Sequence, residues 1–162
     1  MEERNILCID LKSFFASVEC VERNLDPFTT PLIVADPSRK GGAITLAVTP
    51  YMKTLGVPSR GRVFEIPKGI KYITATPRMS LYVKKSKEVI NCFLDFVSKE
   101  DMHVYSIDEA FLDVTDYLEL YKMDDVTLAK NIMARIKEKT GLTSTCGIGP
   151  NLLLAKVALD IE

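Results

Sequence analysis

Two strand-like runs, His103–Ile107 (HVYSI) and Ala110–Val114 (AFLDV), are separated only by Asp108 and Glu109. Two residues between strands is the length of a tight β-hairpin loop. The spacing therefore fixes an antiparallel pair with two carboxylates at its tip. Other segments arrange themselves around it. Asn5–Asp10 (NILCID) is a short apolar run that stops on an aspartate and reads as a buried strand. Residues 12–23 place Phe14, Phe15, Val18 and Val21 at helical spacing. Pro31–Asp36 and Ala43–Val48 read as strands, with a turn at 37–42 between them. Pro50 suits the first position of a short helix ending at Gly56, and residues 57–71 read as loop.

After Pro77 a helical stripe of Met79, Val83, Ile90, Leu94 and Val97 covers 78–98. Beyond the hairpin come a helix over 125–139 closed by Gly141, a strand at Thr143–Ile148, and a last helix after Pro150. Strands and crossover helices on either side of a hairpin predict an α+β sandwich with an antiparallel sheet.

Composition narrows the function classes. A chain of 162 residues suggests one domain, or one with a small insertion, and needs no disulfide staple. With 47% hydrophobic residues and a net charge of −1, it is not a disordered chain. Near-neutral charge also argues against a simple basic nucleic-acid binder. The neutrality hides a basic segment, however: residues 36–71 carry Arg39, Lys40, Lys53, Arg60, Arg62, Lys68 and Lys71 against Asp36 and Glu65. Cys8, Cys20, Cys92 and Cys146 form no C-x-x-C pair, so their spacing suggests neither a zinc nor a thioredoxin-like site, and with His103 the single histidine, His-based metal clusters are excluded. Scattered thiols without an export signal fit a reducing cytoplasm. No apolar stretch approaches the ~20 residues of a membrane span.

If the first strand lies beside the hairpin, its terminal Asp10 meets Asp108 and Glu109 at one sheet edge. Three carboxylates that close repel one another unless one is protonated or a cation neutralises them. A pair of Mg²⁺ ions is the economical solution, needing carboxylates, water and substrate phosphates but no histidine. Phosphoryl or nucleotidyl transfer follows from such a site. The plainer reading of the same residues is solvated turn chemistry at a hairpin and a strand end.

Three blocks decide between these readings. I-D-L-K-S-F-F-A-S-V-E at 9–19, Y-S-I-D-E-A-F-L-D-V at 105–114 and C-G-I-G-P-N-L-L-L-A-K-V-A at 146–158 stand in order along the chain. Together they resemble the Y-family DNA polymerases, which copy past damaged template bases, and in particular the UmuC-type (ImpB/MucB/SamB) subgroup. The resemblance covers essentially the whole chain. It implies a polymerase palm with an antiparallel, ferredoxin-like sheet flanked by helices, formed by residues 1–22 and 76–162. A small fingers subdomain is inserted at 23–75.

The implied activity is DNA-templated nucleotidyl transfer from dNTPs by a two-metal mechanism, serving low-fidelity lesion bypass in DNA repair. Asp10 and Asp108 match the aspartates that bind both metals. Glu109 matches the glutamate beside the metal that activates the primer 3′-hydroxyl, and Leu11 would offer its backbone carbonyl. The metal is Mg²⁺, with Mn²⁺ able to substitute. Phe14 and Phe15 match the family's aromatic pair, Phe15 standing as the steric gate under the sugar. Lys156 and Lys53 match the basic residues that reach the triphosphate. Pro50 departs from the tyrosine that many members carry, with Tyr51 as the nearest substitute. Arg39, Lys40, Arg60 and Arg62 are further candidates for phosphate contact. Primer-template DNA and a dNTP are the implied partners, with a sliding clamp bound through a C-terminal region that this chain does not include.

Two other classes compete. Nucleotidyl cyclases share the palm logic, but the turn here lacks the paired glycines of the diguanylate type, and a cyclase has no use for a basic insertion. A non-catalytic DNA-binding palm would not gather carboxylates. The family's thumb and little-finger domains are not represented in these residues, so the expectation for residues 1–162 alone is weak DNA binding and little or no activity.

Overall fold

The computed structural model describes residues 4–161. In chain order its elements are β1 (Ile6–Leu11), α1 (Phe14–Glu22), β2 (Leu32–Val34), β3 (Ala47–Val48), α2 (Pro50–Thr54), β4 (Ile73–Ala75), α3 (Met79–Leu94), β5 (Met102–Ser106), β6 (Glu109–Asp113), α4 (Leu118–Tyr121), α5 (Asp125–Thr140), β7 (Ser144–Gly149) and α6 (Leu152–Ile161). They form two compact units: residues up to Leu11 together with those from Val83 onward, and Lys12–Tyr82.

The first unit is built on a four-stranded sheet in the order β5-β6-β1-β7, antiparallel throughout. Read along the chain as β1-α3-β5-β6-α5-β7, this is the βαββαβ pattern of the ferredoxin-like fold. β1 lies between β6 and β7, which is why its run is apolar on both faces and almost wholly buried. One face carries Ile6, Cys8 and Phe111 packed with Ala155 and Leu159 of α6. Asp124 caps α5 by accepting from the Thr127 N–H at 2.8 Å, and Gly141 ends it at φ 77°, a left-handed conformation that glycine adopts without steric cost.

The hairpin differs from the sequence expectation by one residue. Ser106 pairs with Glu109 and Val104 with Ala110, so Tyr105 is an extra residue on β5. This bulge moves the two-residue loop to Ile107-Asp108 and makes Glu109 the first residue of β6.

The second unit carries a small sheet in the order β3-β2-β4, with β2 antiparallel to β3 and parallel to β4. The two faces of β2 serve two clusters. Leu32 and Val34 pack with Ala16 and Cys20 of α1, while Ile33 packs with Val48, Met52, Val57 and Ile66. β2 is therefore fully buried although it has only three residues. The strand expected over 43–48 is paired only at Ala47–Val48. Its first half turns away, Thr45 N–H bonding the Gly61 carbonyl at 2.8 Å and Ile44 bridging Arg62. β4 lies beyond the expected loop, and the expected turn at 37–42 is a 3₁₀ helix.

Candidate active site

Asp10 stands directly opposite Glu109 in the β1–β6 ladder. Cys8, two residues earlier, pairs with Phe111 and lies on the face covered by α6. Side chains alternate along a strand, so Asp10 and Glu109 continue that same face toward the sheet edge. Asp108 sits in the loop immediately before β6, where its carbonyl accepts from the Leu11 N–H at 2.9 Å. Its side chain is fixed by the Ser106 hydroxyl, which donates to Oδ1 at 2.9 Å. From behind, the Ser86 hydroxyl of α3 donates to the Ile107 carbonyl at 2.7 Å and holds the loop down. The strand end and the hairpin tip are thus tied together by backbone and side-chain hydrogen bonds.

Lys156 reaches this edge because of two glycines. A Cβ on Gly147 would overlap the Ala155 carbonyl, and one on Gly149 would meet the Ala155 nitrogen at 2.5 Å. Only glycine lets α6 rest its backbone on β7 this closely. Ala155 is then fully buried and the next residue, Lys156, extends to the carboxylates. Its ammonium donates to Glu109 Oε1 and lies 5.0 Å from the centre of the Tyr105 ring. The cation therefore has a carboxylate and an aromatic face as neighbours. Cys8 also donates to Glu109 Oε1, at 3.5 Å. Burial, and then the nearby Glu109 charge, push the Cys8 thiol up to about 12, so it stays a donor at neutral pH.

Asp10, Leu11, Asp108, Glu109 and Lys156 therefore meet at one edge of the first unit. Their oxygen donors suit a hard divalent cation. Among the described residues, no group of three or more His, Cys, Asp or Glu side chains is spaced to hold a metal. The strand ends converge at this edge, and Glu109 is ion-paired with Lys156.

Phe14, Phe15 and Lys53 belong to the second unit. The chain leaves β1 through Ser13 in a left-handed conformation, φ 46°, and enters α1 without a side-chain cap or an acid in the first turn. Phe14 is buried, whereas Phe15 is half-buried and stacks on Tyr82 with ring centres 4.5 Å apart and planes at 16°. Lys53 is exposed on α2, whose N-terminus is capped by Thr49 and opened by Pro50. Arg60 is exposed. Arg62 brackets its own loop, donating to the Gly42 carbonyl at 2.8 Å while its N–H bonds Glu65 at 3.1 Å. The side chains of Arg39 and Lys40 lie outside the described residues.

Sequence reasoning passed over Glu19, Arg78 and Tyr82. Glu19 is a fully buried acid on α1, joined to both of the others. The available signal was an acid one turn after Phe15 on a helix whose other inward positions are apolar or small.

The family model described as impB/mucB/samB matches residues 9–160. The chain belongs to this family. Members of known sequence include UvrX of Bacillus subtilis (strain 168), named for UV-damage repair, 40% identical over 160 residues that cover 98% of this chain and 37% of UvrX. DNA polymerase IV 2 of the same organism is 35% identical, covering 99% of this chain and 38% of the relative. Among solved structures, a Y-family DNA polymerase chimera of Dbh and Dpo4 superposes with a TM-score of 0.86 at 28% identity, covering 98% of this chain and 46% of the other. DinB from Sulfolobus solfataricus gives 0.81 at 29% identity, with 98% and 46% covered. The impB/mucB/samB chain described here thus spans under half the length of these relatives. Its α+β architecture is that of the Y-family palm and fingers region.

Proposed function

We propose that the protein is a DNA-directed DNA polymerase that copies past damaged template bases by two-metal nucleotidyl transfer. The observation that carries this reading is the edge where Asp10 faces Glu109, Asp108 is tied to Leu11, and Lys156 approaches from α6. Two Mg²⁺ ions, or Mn²⁺ in their place, held by Asp10, Asp108, Glu109 and the Leu11 carbonyl, would lower the pKa of the primer 3′-hydroxyl and offset triphosphate charge. The neighbouring structures include one described as an insertion ternary complex of Dbh DNA polymerase, which supports primer-template DNA and a dNTP as partners. The same reading carries a sliding clamp as a further partner, and a cytoplasmic setting. No helix among the described residues is long and apolar enough to cross a membrane.

Each side chain then has a task. Lys156 on the first unit and Lys53 on the second each carry a point charge suited to triphosphate oxygens. The uncapped, acid-free first turn of α1 offers N–H groups to an anion. Phe15, with its ring half-exposed, lies under the sugar and excludes a ribose 2′-hydroxyl, while buried Phe14 supports it from the core. Residues 1–22 and 76–162 form the palm and 23–75 the fingers. Within that division α1 and Arg78–Tyr82 pack with the fingers segment.

Primer extension across a damaged template base, by the protein expressed from its complete gene with Mg²⁺, tests the proposal. Extension is expected from the wild type and its loss from Asp108→Ala. Undiminished extension by that variant would sink the reading.

A further inference from the structure

Glu19 lies one helical turn beyond Phe15 on α1, so the two share a face. Its relative exposure is 0%, an environment that an acid enters only with strong partners. Three side chains supply them. Arg78 donates through Nε to Oε2 at 3.1 Å and through Nη2 to Oε1 at 2.5 Å. Arg23 donates to Oε1 and also to the Glu19 carbonyl at 3.1 Å. The Tyr82 hydroxyl donates to Oε2 at 2.6 Å. Every atom in this cluster belongs to the second unit.

The cluster has one consequence outside itself. Tyr82 is fully buried, its hydroxyl is pinned to Glu19, and its ring is the flat surface on which Phe15 stacks. A buried ion pair adds little stability over apolar groups of the same volume, but here its directional hydrogen bonds fix where the Tyr82 hydroxyl sits. Phe15 is half-buried, touching the Phe14 ring, with centres 5.8 Å apart, and the core beneath α1, and Tyr82 is the ring to which its plane lies nearly parallel. We propose that Glu19 is a positioning residue for the Phe15 ring, acting through Tyr82, and thereby a determinant of sugar discrimination. The inference rests on the reading that Phe15 lies beneath the sugar of the incoming nucleotide.

Two variants probe the link. Glu19→Gln keeps the volume and removes the charge. Tyr82→Phe keeps every ion pair and the stacked ring but cuts the hydroxyl tether, so it remains informative if Glu19→Gln folds poorly. Ring resonances of Phe15 in protein with labelled phenylalanine provide the first readout, which needs no catalysis. Both variants are expected to shift and broaden them. Unchanged Phe15 resonances in folded Tyr82→Phe would overturn the positioning role.

The second readout is the ratio of dNTP to rNTP incorporation by the protein expressed from its complete gene. Glu19→Gln is expected to lower it about tenfold and to add nothing in a Phe15→Ala background, since coupled residues are not additive. A further independent loss in that background overturns the inference. If Phe15→Ala itself leaves discrimination at the wild-type level, the gate reading fails instead. The resonance experiment still decides whether Glu19 positions Phe15.

Discussion

Lys156 and Glu109, 47 residues apart in sequence, form an ion pair at the edge of the β5-β6-β1-β7 sheet. Glu109 is 12% exposed and Lys156 is 35% exposed, so the pair is held at the surface of the fold and open to solvent on the lysine side. It places a cation beside the carboxylates that the proposed function gives to the metals. In the proposed enzyme the same ammonium exchanges Glu109 for triphosphate oxygens when substrate enters.

Lys156→Ala should therefore separate stability from activity. A partly exposed pair contributes at most about 1 kcal/mol after solvent screening, so thermal unfolding should hardly move. A charge-assisted hydrogen bond to a phosphate is worth roughly 1.5–3 kcal/mol, which corresponds to about a 10- to 100-fold loss in kcat/KM for the dNTP. Steady-state insertion kinetics with wild-type and variant enzyme measure this. A large drop in melting temperature with unchanged kinetics would assign Lys156 to the fold alone.

Gly147→Ala should do the opposite. The added methyl would strike the Ala155 carbonyl and the Leu159 nitrogen, both backbone atoms that cannot rotate away. α6 must then lift from β7, at a cost of about 1–3 kcal/mol typical of overpacking. Urea unfolding should show the loss. The Lys156 contact to Glu109 should weaken with it, because one helix backbone carries both effects.

The convergence of these strand ends was legible in the sequence because its parts are local. A strand ending on Asp10, an Asp-Glu pair between two β runs, and a Gly-x-Gly-Pro step before a helix each announce themselves within about ten residues. What was not legible depends on pairing between distant segments. The bulge at Tyr105 leaves the apolar alternation almost unaltered, so the hairpin loop was placed one residue late. β4 has three residues, two of them exposed, and is a strand only because β2 lies beside it. Glu19 meets Arg78 and Tyr82 from 59 and 63 residues away, and no spacing rule connects them.

The cysteines offer a test of burial by chemistry. Burial pushes the Cys8 thiol up to about 12 and the Cys20 thiol up to about 11, and both side chains are fully enclosed. Alkylation requires the thiolate and access to it. Native protein treated with iodoacetamide near pH 8 should therefore be modified first at half-buried Cys146, with Cys8 and Cys20 reacting only after denaturant is added. Peptide mass spectrometry reads the order. Early modification of Cys8 would show that the sheet around β1 opens more readily than its packing indicates.

Acid should unfasten the Glu19 cluster. Burial alone would raise the Glu19 pKa, but hydrogen bonds from Arg78, Tyr82 and Arg23 outweigh it and hold the carboxyl below the usual glutamate value. A group whose folded pKa is lowered stabilises the fold above its unfolded pKa, about 4.3 for glutamate. That contribution fades as pH falls through the lower folded value, where the carboxyl takes up a proton and loses its charged partners. Melting temperature followed from pH 7 to pH 3 should therefore fall more steeply for wild type than for Glu19→Gln, whose amide does not titrate. At pH 7 the variant should be the less stable of the two, by about 2 kcal/mol, because Arg78 and Arg23 lose a charged acceptor. The gap should narrow toward pH 3. Parallel curves over the whole range would mean that the Glu19 carboxyl takes up its proton at the same pH in the folded and unfolded chain, and a gap that widens toward pH 3 would mean that Glu19 is already protonated in the native protein.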